Sequence, residues 1–453
     1  MRFWSTTRVM YLSMGLMLMA GAALGQDNNK ICTTQRPVTV CPNPLKPGDK
    51  PCSDLPKDVN FKQIAEGYAQ INPVCQQPFD DFSWQSFVAL NWPLGDLSQP
   101  RLWERFTDPD QIFNPPQIQK MQAVTAEQNQ KVKILYRMAK RHVLPGQSST
   151  PFLEATLQPL IDRNMNFALY EERVNPIWAT YVTTTAHLST NKGQTAFIAA
   201  KKTVKFPPGH YLNDQKGTGG ALGAMELKAT WRILDPKKGD KLQNFYTRKA
   251  DIYMDPAHTV NHKPLVVKGV IVGLVALHIN TYTTDGKGSV WSTFEHEDNA
   301  PPQGKVEPGK TYSFFNPACT QCQLNTPPAL IGTEKEYLWG TTAPFAQRYA
   351  TAGQYGTQVT IVNAFYPETE DTNTRWHKLV ANTVWTHYRL IGTQWVNGEV
   401  PTPAGIPPIL ANSTLETYVP QSQSSCISCH SGATLNPAPK PPADLSFLLS
   451  HAH

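Results

Sequence analysis

The chain has 453 residues, 40% of them hydrophobic and 17% charged, with a formal net charge of +6 to which Arg2 and Arg8 contribute two. So small and dispersed a charge excludes the basic footprint of a nucleic-acid-binding protein. The length and hydrophobic share exclude a disordered chain and supply enough apolar surface for a packed core.

In chain order, residues 1–25 (MRFWSTTRVMYLSMGLMLMAGAALG) set two arginines ahead of an apolar run from Val9 to Ala23, with small residues Ala23 and Gly25 at its end. That layout predicts a secretory signal peptide. The run is shorter than the ~20 residues a spanning helix needs, and Gln26, not cysteine, follows the expected cleavage point. The expectation is a periplasmic or secreted protein with no stable membrane anchor. All eight cysteines (Cys32, Cys41, Cys52, Cys75, Cys319, Cys322, Cys426, Cys429) come after this segment. In an oxidising compartment such thiols pair or are otherwise consumed.

Residues 26–60 form a cysteine- and proline-rich arm that cannot hold a regular helix, because proline lacks the amide donor. Residues 61–190 read as mainly helical, through FSWQSFVALNW, AEQNQKVKILYRMAKRH (126–142) and FLEATLQPLIDRNMNFALYEE (152–172). Residues 191–400 read as a strand-rich body. Its expected strands are QTAFIAAKKTVKFP (194–207), KLQNFYTRKADIYM (241–254), PLVVKGVIVGLVALHINTYTT (264–284), QVTIVNAFYP (358–367) and VWTHYRLIGTQWV (384–396). AMELKATWRIL (224–234) and TNTRWHKLVANT (372–383) are expected as short helices among them. Residues 401–453 form a short C-terminal segment. The fold class predicted is α+β, and 61–453 is compatible with a single domain.

That last segment carries the most specific signal, Cys426-Ile427-Ser428-Cys429-His430, with only Ser431–His453 after it. Cys-x-x-Cys-His is the attachment sequence of haem c: two thiols add to the haem vinyl groups as thioethers and the adjacent histidine ligates the iron. The competing readings are a Cys426–Cys429 disulfide beside an incidental histidine, and a zinc site, which needs about four ligands. The tract Ser424–Gly432 resembles the attachment site of the cytochrome c superfamily. The resemblance implies one covalent haem c, with Cys426 and Cys429 as thioether cysteines and His430 as proximal iron ligand. It is confined to that tract. Small class I cytochromes c carry the site near the start of a domain of about a hundred residues with a methionine downstream, whereas no methionine follows here. Class II cytochromes attach haem late in a four-helix bundle, unlike this strand-rich chain.

Candidates for the second axial position are His451 and His453 in the tail, and Met225 and Met254 in the body, while an open position is also compatible with the sequence. His278 ends a long apolar strand, and His296 stands in the acidic tract Glu295–Asp298. If those strands pair, His278 and His296 could converge as a distal acid/base pair, with Glu295 beside them; the alternative is a hydrogen-bonded core histidine and a solvated turn. His258 and His262 read as loop residues. Cys319 and Cys322 lack a following histidine and read as a tight disulfide.

The function these residues predict is exported monohaem electron transfer, with a redox protein or a small molecule as donor or acceptor. The alternatives are a peroxidase-like oxidoreductase with an open distal site and a haem subunit of a larger redox complex.

Overall fold

The computed structural model describes residues 54–59, 76–93, 99–114, 133–135, 152–154, 156–212, 219–284, 288–397, 400–403 and 409–453. The signal-peptide stretch, most of the cysteine arm and most of 126–142 lie outside them. The helices are α1 (Gln76–Asn91), α2 (Pro109–Phe113), α3 (Pro176–Thr180), α4 (Asn191–Ala199), α5 (Pro367–Leu379) and α6 (Cys426–His430). The strands are β1 (Lys133–Leu135), β2 (Leu169–Val174), β3 (Met225–Ile233), β4 (Thr247–Met254), β5 (Leu265–Thr283), β6 (Gly288–His296), β7 (Tyr388–Asn397) and β8 (Val400–Pro403). The chain is a mixed helix-and-sheet protein, and among the described residues no helix is long and apolar enough to cross a membrane.

The eight strands form one sheet with β5 as its hub. Val272 and Gly273 pair with both β3 and β4, which therefore lie on opposite edges of β5. Residues 276–281 pair with both β3 and β6. Hence β4 and β6 follow one another along one edge while β3 runs along the other. Every pairing is antiparallel except that of β1 with β4.

Several expectations are corrected. Residues 224–234 are strand β3, not a helix. Met225, Leu227, Ala229, Trp231 and Ile233 are apolar at every second position, a period of two that only a strand can place on one face. Within 126–142, Lys133–Leu135 is strand β1, and 156–168 consists of turns and isolated bridges leading into β2, so the part between 61 and 190 contributes strands as well as helices. Residues 194–207 begin in helix α4, whose Thr190 side chain caps the Gly193 amide, and continue as an extended segment outside the sheet. Residues 358–367 make only isolated bridges, such as Gln358 with Leu324 and Ile361 with Pro302. The expected strands at 241–254, 264–284 and 384–396 are found as β4, β5 and β7, and α5 includes much of the helix expected at 372–383.

Because side chains alternate across a strand, the registers sort the sheet into two faces. On one, lateral rows run Ala229, Leu277, Phe294, Leu390 and Leu227, Ile279, Ser292, Thr393. Helices α1 and α5 cover this face: Phe87 stacks on Phe294 at 4.2 Å, Phe79 on Trp395 at 3.6 Å and Trp84 on Trp376 at 5.8 Å. On the other face the rows are polar. They run Val174, Glu226, Asn280, Trp291, Gln394; then Glu172, Lys228, His278, Thr293, Gly392; then Tyr170, Thr230, Ala276, Glu295, Arg389.

The C-terminal segment lies on these polar rows and bonds to them. Asn412 Nδ2 donates to Thr293 Oγ1 at 3.0 Å, Ser413 Oγ to Glu295 Oε2 at 2.7 Å, and Tyr170 OH to the Thr414 carbonyl at 3.0 Å. A polar face is buried at low cost only when its groups find partners, and 409–453 supplies them to Tyr170, Thr293, Glu295 and Gln394.

Candidate functional site

The Cys-x-x-Cys-His tract folds as the single turn α6 because Ser425 caps it, its side chain accepting from the Ser428 amide. Gln394 of β7 anchors the same turn: its Oε1 accepts from Ser425 Oγ at 3.2 Å and from the Ile427 amide at 3.3 Å. Ile427, fully buried, packs with Trp291, Val396 and Leu445. Cys426 packs against the same cluster, and His430, three residues from Ile427, meets the same Trp291 ring. Cys426 is half-buried, Cys429 is exposed, and among the described residues both are free thiols.

Burial pushes the Cys426 thiol well up, and Glu416 and Cys429 add to the shift; burial and then Glu416 raise Cys429 as well. Both therefore stand as neutral thiols, not as thiolates activated for redox exchange. Cys319 and Cys322, at the same spacing on a loop, form the expected disulfide instead.

His430 is held between two aromatic rings, Trp291 at 4.1 Å and Phe447 at 5.1 Å. Its Nδ1 lies 2.8 Å from the Leu445 carbonyl. A carbonyl only accepts, so the proton sits on Nδ1 and the Nε2 lone pair is left free. Burial lowers the imidazole pKa to about 4, with Lys228 acting in the same direction and the bond to Leu445 against it. The result is a neutral, oriented imidazole whose Nδ1 bond has the form that fixes metal-ligating histidines.

The donor set fits a covalent haem: two free thiols one helical turn apart, an imidazole with an unprotonated Nε2, and Phe447 left 41% exposed beside it, an apolar surface a macrocycle would cover. It does not fit zinc. Among the described residues no group of three or more His, Cys, Asp or Glu could hold a metal ion.

The other sequence candidates separate. His278 lies on the polar face, 7% exposed, with Nε2 3.6 Å from Glu416 Oε2 and close enough to His430 for that charge to lower its pKa. The expected convergence of His278 with His296 is not found. His278 pairs with Thr293, three positions from His296, and an odd separation puts the two on opposite faces. His296 stacks on Phe245 at 4.0 Å, and both its nitrogens are engaged, with the Asn244 carbonyl at 2.8 Å and the Asp298 amide at 3.1 Å. Glu295 shares the face of His278 but is committed to Ser413 and to Arg389 at 3.1 Å.

Met225 and Met254 fill the main apolar core. His451 packs on Phe113 at 5.7 Å and His453 is exposed at the end. His258 is buried on the turn Pro256–His258, and His262 stands on a turn with positive φ. Sequence reading missed Trp291, Gln394, Glu416, Lys228 and the Leu445 carbonyl. The alternation of Trp291, Thr293 and Glu295 was legible, but which face it would build was not.

Comparison with known proteins finds no family model, no curated protein and no solved structure that matches this chain.

Proposed function

We propose that this is an exported c-type cytochrome that carries one covalent haem on Cys426 and Cys429, with His430 as proximal iron ligand, and transfers single electrons. The observation that carries the reading is the bond from His430 Nδ1 to the Leu445 carbonyl beside two free thiols. It gives the histidine that follows the cysteine pair the tautomer an iron ligand needs. When bound, the haem supplies a one-electron couple. The chain's part is to orient His430, to keep Trp291 and Ile427 packed against the turn, and to set the polarity around it.

Electron transfer is favoured over a peroxidase-like reaction because two of the three acid/base candidates, Glu295 and His296, are already committed to protein partners. The carrier would exchange electrons with a redox protein or a small molecule. The test is haem staining of the denatured protein after secretion in a host able to attach haem c. The wild type is expected to keep its haem, and the double variant Cys426→Ala, Cys429→Ala to lose it. A denatured wild type without covalent haem would sink the reading.

A further inference from the structure

On the face of the sheet that carries Trp291, one buried imidazole has a ring nitrogen with no hydrogen-bond partner among the described residues. We infer that His278 is the second protein ligand of the haem iron, an inference that rests on the haem reading above.

The register fixes its place. Trp291, whose ring meets His430 at 4.1 Å, pairs with Asn280, and His278 stands two residues from Asn280 on the same strand and face. Two residues along a strand span about 7 Å. His278 thus lies in the row next to the indole that supports the proximal histidine.

Its hydrogen bonding is incomplete. His278 is buried, yet Nε2 has no hydrogen-bond partner among the described residues, and the nearby Glu416 oxygen at 3.6 Å is beyond bonding distance. Buried polar nitrogens are almost always satisfied, and an orphan calls for a group the polypeptide does not provide. A neutral imidazole with an uncommitted Nε2 is a ligand for haem iron. Burial, Lys228 opposite it on β3 and His430 all favour the neutral form.

Glu416 lies near both this ring and the thiols: its Oε2 is 3.6 Å from His278 Nε2, and its charge acts on Cys426 and Cys429. Its Oε2 also accepts from the Asn412 amide at 2.9 Å, so the carboxyl must give up its place 3.6 Å from Nε2 for His278 to reach the iron. The remaining candidates lie elsewhere. Met225 and Met254 belong to the apolar core, both nitrogens of His296 are engaged, and His451 packs on Phe113.

The experiment uses the full-length, haem-loaded protein. A denaturing gel first establishes covalent haem in wild type and variants, and its absence from the wild type would be a failure of the haem reading, not of this ligand. Absorption and electron paramagnetic resonance spectra then report coordination. The wild type is expected to be low-spin with two imidazoles and unchanged by carbon monoxide.

His278→Ala should become high-spin and bind carbon monoxide. His278→Met should remain low-spin, gain a far-red thioether-to-iron band and shift to a higher reduction potential. The methionine variant decides the matter if the alanine variant does not fold, because it keeps a ligating side chain and changes its chemistry. A wild type that is high-spin and binds carbon monoxide would overturn the inference, as would a His278 variant with covalent haem and an unaltered bis-imidazole spectrum.

Discussion

The two faces of the sheet are buried by different means. Under α1 and α5 the contacts are aromatic and aliphatic, with Trp84, Phe87, Phe294, Trp376 and Trp385 in one cluster of fully or almost fully buried side chains. Under the C-terminal segment apolar packing, such as Val174 and Tyr282 with Leu435 and Leu449, is joined by directional contacts: Asn412 to Thr293, Ser413 to Glu295, Ser425 and Ile427 to Gln394. Apolar burial is roughly proportional to area and tolerates small shifts. Hydrogen bonds weaken steeply with distance and angle, so they fix position more than they add stability. The first face therefore holds the molecule together, and the second holds one turn, Cys426–His430, in register with Trp291 and His278.

The largest expected effect breaks the apolar side alone. Phe87→Ala removes a fully buried ring that stacks on Phe294 and meets Trp84 edge-on. It should cost about 3–5 kcal/mol in denaturant unfolding, while the wild-type hydrogen-exchange protection of Ser425–Ser431 relative to the rest of the sheet persists. A loss below about 1 kcal/mol would mean that α1 is not a principal cover of the sheet.

Ile427→Ala attacks the other side. Its cluster is small and has a half-buried neighbour in Cys426, so the cost should fall at the low end of the about 2–5 kcal/mol seen for such truncations. The loss should be local, with faster amide exchange across 425–431 and little change in β5. Uniform acceleration throughout the sheet would contradict the division of labour.

The smallest effect sharpens the comparison through pH. Burial raises Glu416 to about 8 and Glu154 and Glu226 each to about 7. In the folded state these carboxyls hold protons that the unfolded chain has released above its ordinary carboxylate pKa, so their contribution declines as pH rises through 7 to 8. His278 and His430, lowered to about 3 and about 4, act with the opposite sign only below their unfolded pKa of 6.5. From pH 6.5 to 8 these carboxyls act together with Asp80, raised by burial to about 7 on α1, and the C-terminal segment should exchange its amides faster, after correction for the intrinsic pH effect. Glu416→Gln should reduce that dependence, and equal slopes in wild type and variant would show that Glu416 is ionised throughout.

What was legible in the sequence is uneven, for physical reasons. The Cys-x-x-Cys-His spacing is local chemistry, needing five consecutive residues and no fold, and α6 keeps those residues together as a single turn. The long strand β5 was legible because nineteen residues of β-branched and apolar character admit little else. Strand β3 was misread although its period of two was present, since Leu, Ala, Lys and Glu favour helix intrinsically and pairing with β2 and β5 outweighed that preference. Trp291, Gln394 and His278 come from three strands, and only the strand registers bring them onto one face of the sheet. The sequence determined which residues can do the chemistry. The tertiary structure decided which of them meet, because one step of register moves a side chain to the opposite face: that step separates His278 from His296 and leaves it on the face that carries Trp291.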